Sequence, residues 1–486
     1  MRAGVVHQGR DIAPLMYNTS FVRAGPCGGQ GRSATGRAAA ARPLPWLTVT
    51  QTYWVETLGC PKNQVDSDKL VGKLVADGYV AASDASQADL VVVNTCAFIE
   101  EARQESIDTV LALSEDRAEH AKVVVTGCMA QRYGDELAAA LPEVDTVAGF
   151  GQDFIDSPGP GAPSSPHSST HSSSRSLIPV SAAPVPEFDL LNLPRPAASA
   201  PWAYVKIAEG CDRNCGFCAI PSFRGPQRSR SIDSVVAEVE QLDVREVVLV
   251  AQDLAAYGRD QGKGERSIVA LLDQVARRVD WVRLLYLYPS DLNEALIEAM
   301  LGARVPYFDL SLQHVSRPLL RRMRRWGDGD TFLERIEAIR SIDPTAAFRS
   351  NFIVGYPGET EADHDALLEF VEAAQLDWCG FFAFSDEEGT YAHDLDGHID
   401  ATLMGERLAE LRELQDDITA ARRDALIGET ITVLVDEPGV ARSFREAPEI
   451  DGIVEVPDHL EVGEFHEVTV VGATGPDLVA DESVPS

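Results

Sequence analysis

Basic residues are scarce in this chain. In 486 residues, 76 Asp and Glu stand against 42 Lys and Arg, a formal net charge of −34, which repels phosphate backbones unless a basic patch is segregated from the rest. That balance argues against a nucleic-acid partner and favours a basic one. Long apolar runs are also missing: none approaches the ~20 residues needed to span a bilayer, so no membrane association is expected. Cysteine is sparse, at eight, and no secretory leader is evident, which favours metal ligation in a reducing compartment, the cytoplasm, over a disulfide framework. What remains is 45% hydrophobic and 24% charged, the composition of a soluble globular protein long enough for two to four domains.

Six of the eight cysteines fall into two trios. Cys211, Cys215 and Cys218 stand in E-G-C-D-R-N-C-G-F-C-A-I-P, just after the strand-like run Ala203 to Ala208. Three thiolates on one short loop can hold three irons of a cubane cluster and leave the fourth iron open. A structural zinc or iron–sulfur site closes its coordination with four ligands; no fourth Cys or nearby His follows Cys218, which argues against a structural knuckle. The second trio lies earlier. Between Tyr53 and Val147 the runs Y-W-V-E-T, L-V-V-V-N and K-V-V-V-T alternate with helical patterns starting near Asn63, Ala97 and Ala130, an α/β domain with a parallel sheet. Cys60, Cys96 and Cys128 each follow one of those strands by one to three residues, so all three emerge at the carboxyl edge, where open α/β folds place ligands. One such Cys could be a small buried residue; three in succession indicate a shared metal.

The flanks and linker are of different composition. Residues 1–50 hold six Arg against one acid and no apolar periodicity, so they read as a disordered extension in which Cys27 has no role. A transit peptide and a start site placed too far upstream both fit it. Residues 151–200, with S-S-P-H-S-S-T-H-S-S-S, read as a Ser/Pro-rich linker in which His167 and His171 are solvated.

From Trp202 to Phe384 a strand–helix unit repeats six times, which predicts a partial parallel barrel with functional groups at the strand carboxyl ends. The cysteine loop Cys211 to Cys218 follows its first strand. Gln252 and Asp253 after the second strand, Gln313 after the fourth and Arg349 in the fifth are candidates for a cofactor pocket by position. Gly355 and Gly358 in G-Y-P-G could allow close backbone approach to a cofactor, or could form an ordinary turn. His314 is expected to be packed rather than to move protons, and Cys379 to serve packing. A charged helix from about Ala401 to Leu426 leads to short β-branched strands that predict a small antiparallel barrel. From Asp424 onward there are fifteen acids against Arg442 and Arg445, and Glu446, Glu449 and Asp451 are expected on a solvated face that docks a basic protein.

The C-x-x-x-C-x-x-C loop with Phe217 between its last two cysteines resembles the radical S-adenosylmethionine (SAM) enzymes. With the three-Cys domain ahead of it and the small barrel behind, the chain resembles their methylthiotransferase family from Gln51 to Asp481, apart from the linker. The resemblance implies a flavodoxin-like three-Cys domain (51–150), a partial (β/α)6 radical SAM barrel (201–423) and a terminal TRAM barrel (424–486). It also implies two 4Fe-4S clusters, an auxiliary one on Cys60, Cys96 and Cys128 and a radical one on Cys211, Cys215 and Cys218, with SAM as methyl donor and radical source. A-Q-D at Ala251 to Asp253, L-Q-H at Leu312 to His314, E-E-G-T at Glu387 to Thr390 and A-P-E-I-D-G at Ala447 to Gly452 are similar to the branch that modifies an aspartate β-carbon of ribosomal protein S twelve, rather than to the branch acting on tRNA adenosine. Leu254 departs from that branch, which has Thr there, and the linker is longer. The expected partners are the basic ribosomal protein and an electron donor such as flavodoxin or ferredoxin. An inert iron–sulfur scaffold is the opposing reading, and it would need the open iron closed.

Overall fold

The computed structural model describes residues 51–154, 189–262 and 266–482; Cys27, His167, His171 and the expectations for residues 1–50 lie outside them. The chain begins with β1 (Thr52–Thr57), α1 (Pro61–Ala76), β2 (Val80–Ala81), β3 (Leu90–Thr95), α2 (Glu100–Asp116), β4 (Lys122–Gly127), α3 (Cys128–Ala140) and β5 (Thr146–Val147). All its pairings are parallel and the strand order is β2-β1-β3-β4-β5, a flavodoxin-like, doubly wound order. β3 is buried at all six positions, as a central parallel strand covered by helices on both faces must be.

The next unit holds β6 (Trp202–Lys206), β7 (Ala208–Glu209), α4 (Ile220–Arg224), β8 (Arg228–Ser229), α5 (Ile232–Leu242), β9 (Glu246–Val250), α6 (Ile268–Val275), β10 (Trp281–Leu284), α7 (Glu294–Gly302), β11 (Tyr307–Gln313), α8 (Arg317–Arg322), α9 (Gly329–Ile342), β12 (Ala347–Val354), α10 (Glu361–Ala374) and β13 (Trp378–Ala383). Two parallel three-stranded sheets, β10-β9-β6 and β11-β12-β13, are joined by a parallel bridge between Leu287 and Leu310. The result is six parallel strands in an arc, open between β6 and β13 among the described residues. Alternation along the strands separates two faces: Ala203, Val205, Val247 and Leu249 pack with the helices, whereas Tyr204, Val248, Tyr307 and Ala347 pack with Leu434 and Ala447 of the terminal barrel.

α11 (Ala401–Asp424) covers β13 through buried Leu411 and Ile418. β14 (Thr430–Glu437), β15 (Val440–Arg442), β16 (Val454–Glu455), β17 (Phe465–Thr474) and β18 (Asp477–Glu482) then close a barrel in the order β14-β15-β16-β18-β17. One feature departs from the sequence reading: β16 and β18 pair in parallel, so this barrel is not wholly antiparallel. The docking of this barrel is polar. Glu246 at the start of β9 is fully buried between Arg283 and Arg442, each 2.8 Å away, and although burial alone would raise its carboxyl, the two guanidiniums hold it below the usual range.

Two further expectations are corrected. The last part of the linker is ordered: Leu191 is buried, Lys69 Nζ donates to the Leu193 carbonyl at 2.7 Å, and Arg195 Nη1 donates to the Tyr204 carbonyl at 2.7 Å. The supposed docking acids are mostly internal. Glu446 is fully buried and pairs with Arg423 at 2.5 Å, and the Asp451 side chain is 1% exposed and pairs with Arg349 at 3.3 Å; only Glu449 is exposed. Exposed acids of the terminal barrel are instead Glu455, Asp458, Glu461, Glu464 and Glu467. None of the described helices is long and apolar enough to cross a membrane.

Candidate active site

Cys211, Cys215 and Cys218 lie on the loop between β7 and α4, held by backbone hydrogen bonds from Cys211 N to Gly225 O (3.0 Å) and from Gly216 N to Met323 O (2.8 Å). All three line a cavity of about 120 Å³. Donors point at their sulfurs: the Arg213 backbone N–H reaches Cys211 Sγ at 3.4 Å, and Arg325 Nη1 reaches Cys215 Sγ at 3.4 Å. The Tyr288 ring lies between two guanidiniums, Arg213 at 3.8 Å and Arg325 at 3.9 Å from its centroid. Burial pushes the Cys211 thiol up to about 11 and the Cys218 thiol up to about 12. Such thiols stay protonated at neutral pH until a metal displaces the proton.

The other trio sits at the carboxyl edge of β1, β3 and β4. Local sequence puts it there. Cys60 is the N-cap of α1 with Pro61 at its first position, a residue whose missing N–H costs nothing there. Gly127 has φ +93°, and a Cβ on it would fall 2.4 Å from Asn94 Oδ1 and 2.5 Å from the Thr95 carbonyl, so only glycine leads into Cys128 by this route. A Cβ on Gly59 would fall 2.8 Å from Cys96 Sγ. Asn63 ties the loops together by donating to the Leu58 and Thr95 carbonyls at 2.9 and 3.1 Å.

Cys60 and Cys128 line a second cavity of about 580 Å³, with Cys96 buried behind them. That size suits a small-molecule ligand, whereas the 120 Å³ cavity does not. The two spaces share Phe217, Ile220, Gln252, Tyr286, Ser311 and Gln313 as walls. Arg224 joins the domains across this region: its guanidinium donates to Cys128 Sγ at 3.0 Å, to Asn63 Oδ1 at 2.8 Å, and to Asp66 and Glu209 at 3.0 Å. Burial raises the Cys60 thiol, yet Lys62, the Asn63 N–H and Arg224 outweigh it and leave the thiol below its ordinary value. Burial likewise raises Cys128, and Arg224 only partly offsets this.

Three thiolates with N–H donors aimed at sulfur are the ligand set of an iron–sulfur cluster whose properties such hydrogen bonds tune. Among the described residues no three His, Cys, Asp or Glu converge closely enough to hold one ion; around a cubane each thiolate meets a different iron, so the ligands stand further apart. The donor chemistry of both trios fits a cluster.

The remaining candidates separate. Gln252 and Gln313 line both cavities, and Gln252 donates to Glu209 at 2.9 Å while its Oε1 has no partner. Asp253 lines the small cavity but is bound to Arg213 at 2.5 Å. Arg349 lines the large cavity, fixed by Asp309 at 3.2 Å and by Asp451. Gly355 lines neither: at φ +82° it faces α11, where a Cβ would fall 2.2 Å from Met404 Sδ. His314 and Cys379 also lie outside both linings. Sequence reading passed over Arg213, although it stands inside the quoted cysteine motif, and Lys62, two residues after Cys60. It also missed Arg224, Arg325, Tyr286 and Tyr288, which only tertiary packing brings to the sulfurs.

Comparison with known proteins agrees with this division. Residues 52–149 match Uncharacterized protein family UPF0004, residues 205–371 the Radical SAM superfamily, and residues 427–482 the TRAM domain. A protein of Cutibacterium acnes called ribosomal protein uS12 methylthiotransferase RimO is 40% identical over 472 residues, covering 88% of this chain and 97% of that one. Its namesake in Moorella thermoacetica is 44% identical over 412 residues, covering 83% of this chain and 92% of the relative. Among solved structures, the radical SAM methyltransferase TsrM of Kitasatospora setae is 16% identical at a TM-score of 0.42, covering 68% of this chain and 72% of that one.

Proposed function

The chain belongs to the ribosomal protein uS12 methylthiotransferase family, and from that premise we infer that it adds a methylthio group to the β-carbon of an aspartate in that small-subunit protein. A radical SAM enzyme of this kind uses SAM and a 4Fe-4S cluster. We assign the radical cluster to Cys211, Cys215 and Cys218, and a second, auxiliary cluster to Cys60, Cys96 and Cys128. When bound, these groups supply the electron that cleaves SAM to a hydrogen-abstracting radical, and the methylated sulfur that joins the carbon left behind. The substrate carbon loses one hydrogen atom and gains CH3S.

The observation that carries this reading is the common wall between the two cavities, which lets one substrate side chain meet both cysteine loops. The protein's own groups have distinct tasks. Arg213 and Arg325 hold Tyr288 and direct N–H groups at the radical-site sulfurs; Arg224 does the same for Cys128. Gln252 and Gln313, placed between the cavities, are the residues we assign to SAM, with the unpartnered Gln252 Oε1 as an acceptor. Asp253 serves by fixing Arg213, and Arg349 by holding Asp451 of the terminal barrel as one wall of the large cavity. Phe98, Phe384 and Ile450 line that cavity with apolar surface and exclude water from the radical. A net charge of −34 attracts a basic ribosomal protein and repels tRNA. A ribosomal substrate places the enzyme in the cytoplasm, with a flavodoxin or ferredoxin as electron donor.

Reconstituted protein given SAM, a reductant, purified protein S twelve and bulk tRNA should add a methylthio mass to the ribosomal protein alone. Modification of tRNA with the ribosomal protein untouched would overturn the assignment of substrate while leaving the radical chemistry in place.

A further inference from the structure

Four cations line the large cavity: Lys62, Arg224, Arg349 and Arg442. Three are neutralised by buried carboxylates. Arg224 has Asp66 and Glu209, each at 3.0 Å; Arg349 has Asp309 at 3.2 Å and Asp451 at 3.3 Å; Arg442 has Glu246 at 2.8 Å and Asp436 at 2.5 Å. Lys62 differs. Its ammonium lies 3.7 Å from the centroid of the Tyr286 ring, and no carboxylate among the described residues is within ion-pair distance of it. An aromatic face holds a cation in place without cancelling its charge. Lys62 is therefore half-buried with no carboxylate partner, on a wall formed partly by the shared residue Tyr286.

A second group is also unsatisfied. Asn351, 7% exposed, lines the same cavity, and its Oδ1 has no hydrogen-bond partner. It lies two residues beyond Arg349 on β12, and Arg349, Asn351 and Ile353 all reach this cavity, as alternate residues of one strand face do. Native proteins rarely leave a buried amide unpaired, and such a group is expected to meet a ligand or water.

We propose that Lys62 is the counter-ion for the side-chain carboxylate of the substrate, and that Asn351 Oδ1, an acceptor, takes a substrate N–H beside it. The Lys62 charge selects a carboxylate-bearing side chain over its amide analogue. This deepens the functional reading above and rests on it. The bound carboxylate supplies the ion partner that Lys62 lacks, and the Tyr286 ring fixes where the ammonium stands. A site built around a charged hydrogen bond rejects an uncharged isostere because its own charge is then left unpaired. The competing role is local: Lys62 is two residues from Cys60 and could serve only to stabilise that thiolate.

The test uses full-length reconstituted protein with two substrates, protein S twelve and a form whose target aspartate is replaced by asparagine. Wild-type protein should prefer the aspartate form by at least 100-fold in kcat/KM. Lys62→Met should lower kcat/KM for the aspartate form about 10- to 100-fold and reduce the preference toward unity, with iron and sulfide content unchanged; Lys62→Arg should restore most of the preference. Binding of protein S twelve to Lys62→Met without SAM should weaken in parallel. An unchanged aspartate preference in Lys62→Met overturns the proposal. So does loss of half the iron in that variant, which would assign Lys62 to the Cys60 site. Wild-type protein that modifies neither form overturns the underlying functional reading, a result distinct from both.

Discussion

Burial of His314 gives the protein a pH dependence unrelated to its chemistry. The ring is fully buried, accepts from the Ser316 N–H at 3.1 Å, and leaves Nε2 without a hydrogen bond, 3.9 Å from Glu359. Burial is the largest influence and, despite Asp363, pushes the group down to about 4, with His364 and Arg407 acting in the same direction. Between about pH 6.5 and pH 4 the unfolded chain binds a proton that the folded chain refuses, so this residue's contribution to stability is lost as pH falls through that window. From pH 7 to pH 5 the loss is about 2 kcal/mol. His314→Asn keeps an acceptor for Ser316 and cannot titrate; the stability gap between wild type and variant in urea should narrow by that amount over the same interval. A constant gap would show that the ring is solvated. L-Q-H revealed the residue type but not this environment, which comes from α10, α11 and the loop before α10. The six cysteines were legible for the opposite reason, since their spacing and their places after strands are local properties. Arg224 was not, because nothing near it in sequence indicates that α4 packs against the loop after β4.

At the scale of elements, α2 and α3 of the three-Cys domain are fastened to the radical barrel through Glu387, while Lys69–Glu238, Lys206–Asp66 and Arg224–Asp66 join the domains elsewhere. Glu387, 3% exposed, takes Arg103 Nη1 at 2.5 Å and Arg132 Nη1 at 2.6 Å, and the Glu100 N–H meets Ser385 Oγ at 3.3 Å. Burial alone would raise the Glu387 carboxyl, yet Ser385, Arg132 and Arg103 hold it below the usual range. Glu387→Gln keeps the shape but leaves Arg132 without a countercharge and Arg103 with only the exposed Glu100, a cost of about 2–3 kcal/mol. Amides of residues 97–103 and 385–390 should then exchange roughly 30-fold faster or more, while β3 and β9 keep their protection. Uniform exchange across all of these would mean that Glu387 is not a clamp. The E-E-G-T motif was visible in the sequence, but its two arginine partners lie on α2 and α3 of another domain. Largely apolar strands such as β9 were legible as runs, whereas two-residue edge strands such as β2 and β5 are shorter than any periodicity. Residues 189–200 were read as linker because their order comes from α1, through Lys69, and not from their own composition.

For the whole molecule, the decisive observation is that two cysteine trios on separate folding units border cavities that share a wall. Neither trio borrows a cysteine from the other: one belongs to the flavodoxin-like sheet, the other to a single loop of the barrel, and among the described residues Arg224 is the side chain that hydrogen-bonds a sulfur across the interface. Each unit has its own apolar core, one including Val91, Val93 and Val125 and the other Val247, Leu249 and Phe348, so loss of one metal site should not unfold the other. Replacing Cys60, Cys96 and Cys128 with Ala should therefore halve the iron of the reconstituted protein, abolish methylthio transfer and leave reductive cleavage of SAM detectable. Replacing Cys211, Cys215 and Cys218 should also halve the iron but abolish cleavage altogether. The two triple variants should differ further in their spectra, each retaining the signal that the other lacks. Equal loss of SAM cleavage in both would mean that the trios act as one unit, and a wild-type iron content of a single cluster would remove the auxiliary site from the assignment. Arg224→Met should blur this separation, since it strips Cys128 of its donor and leaves Asp66 and Glu209 with Lys206 alone as countercharge.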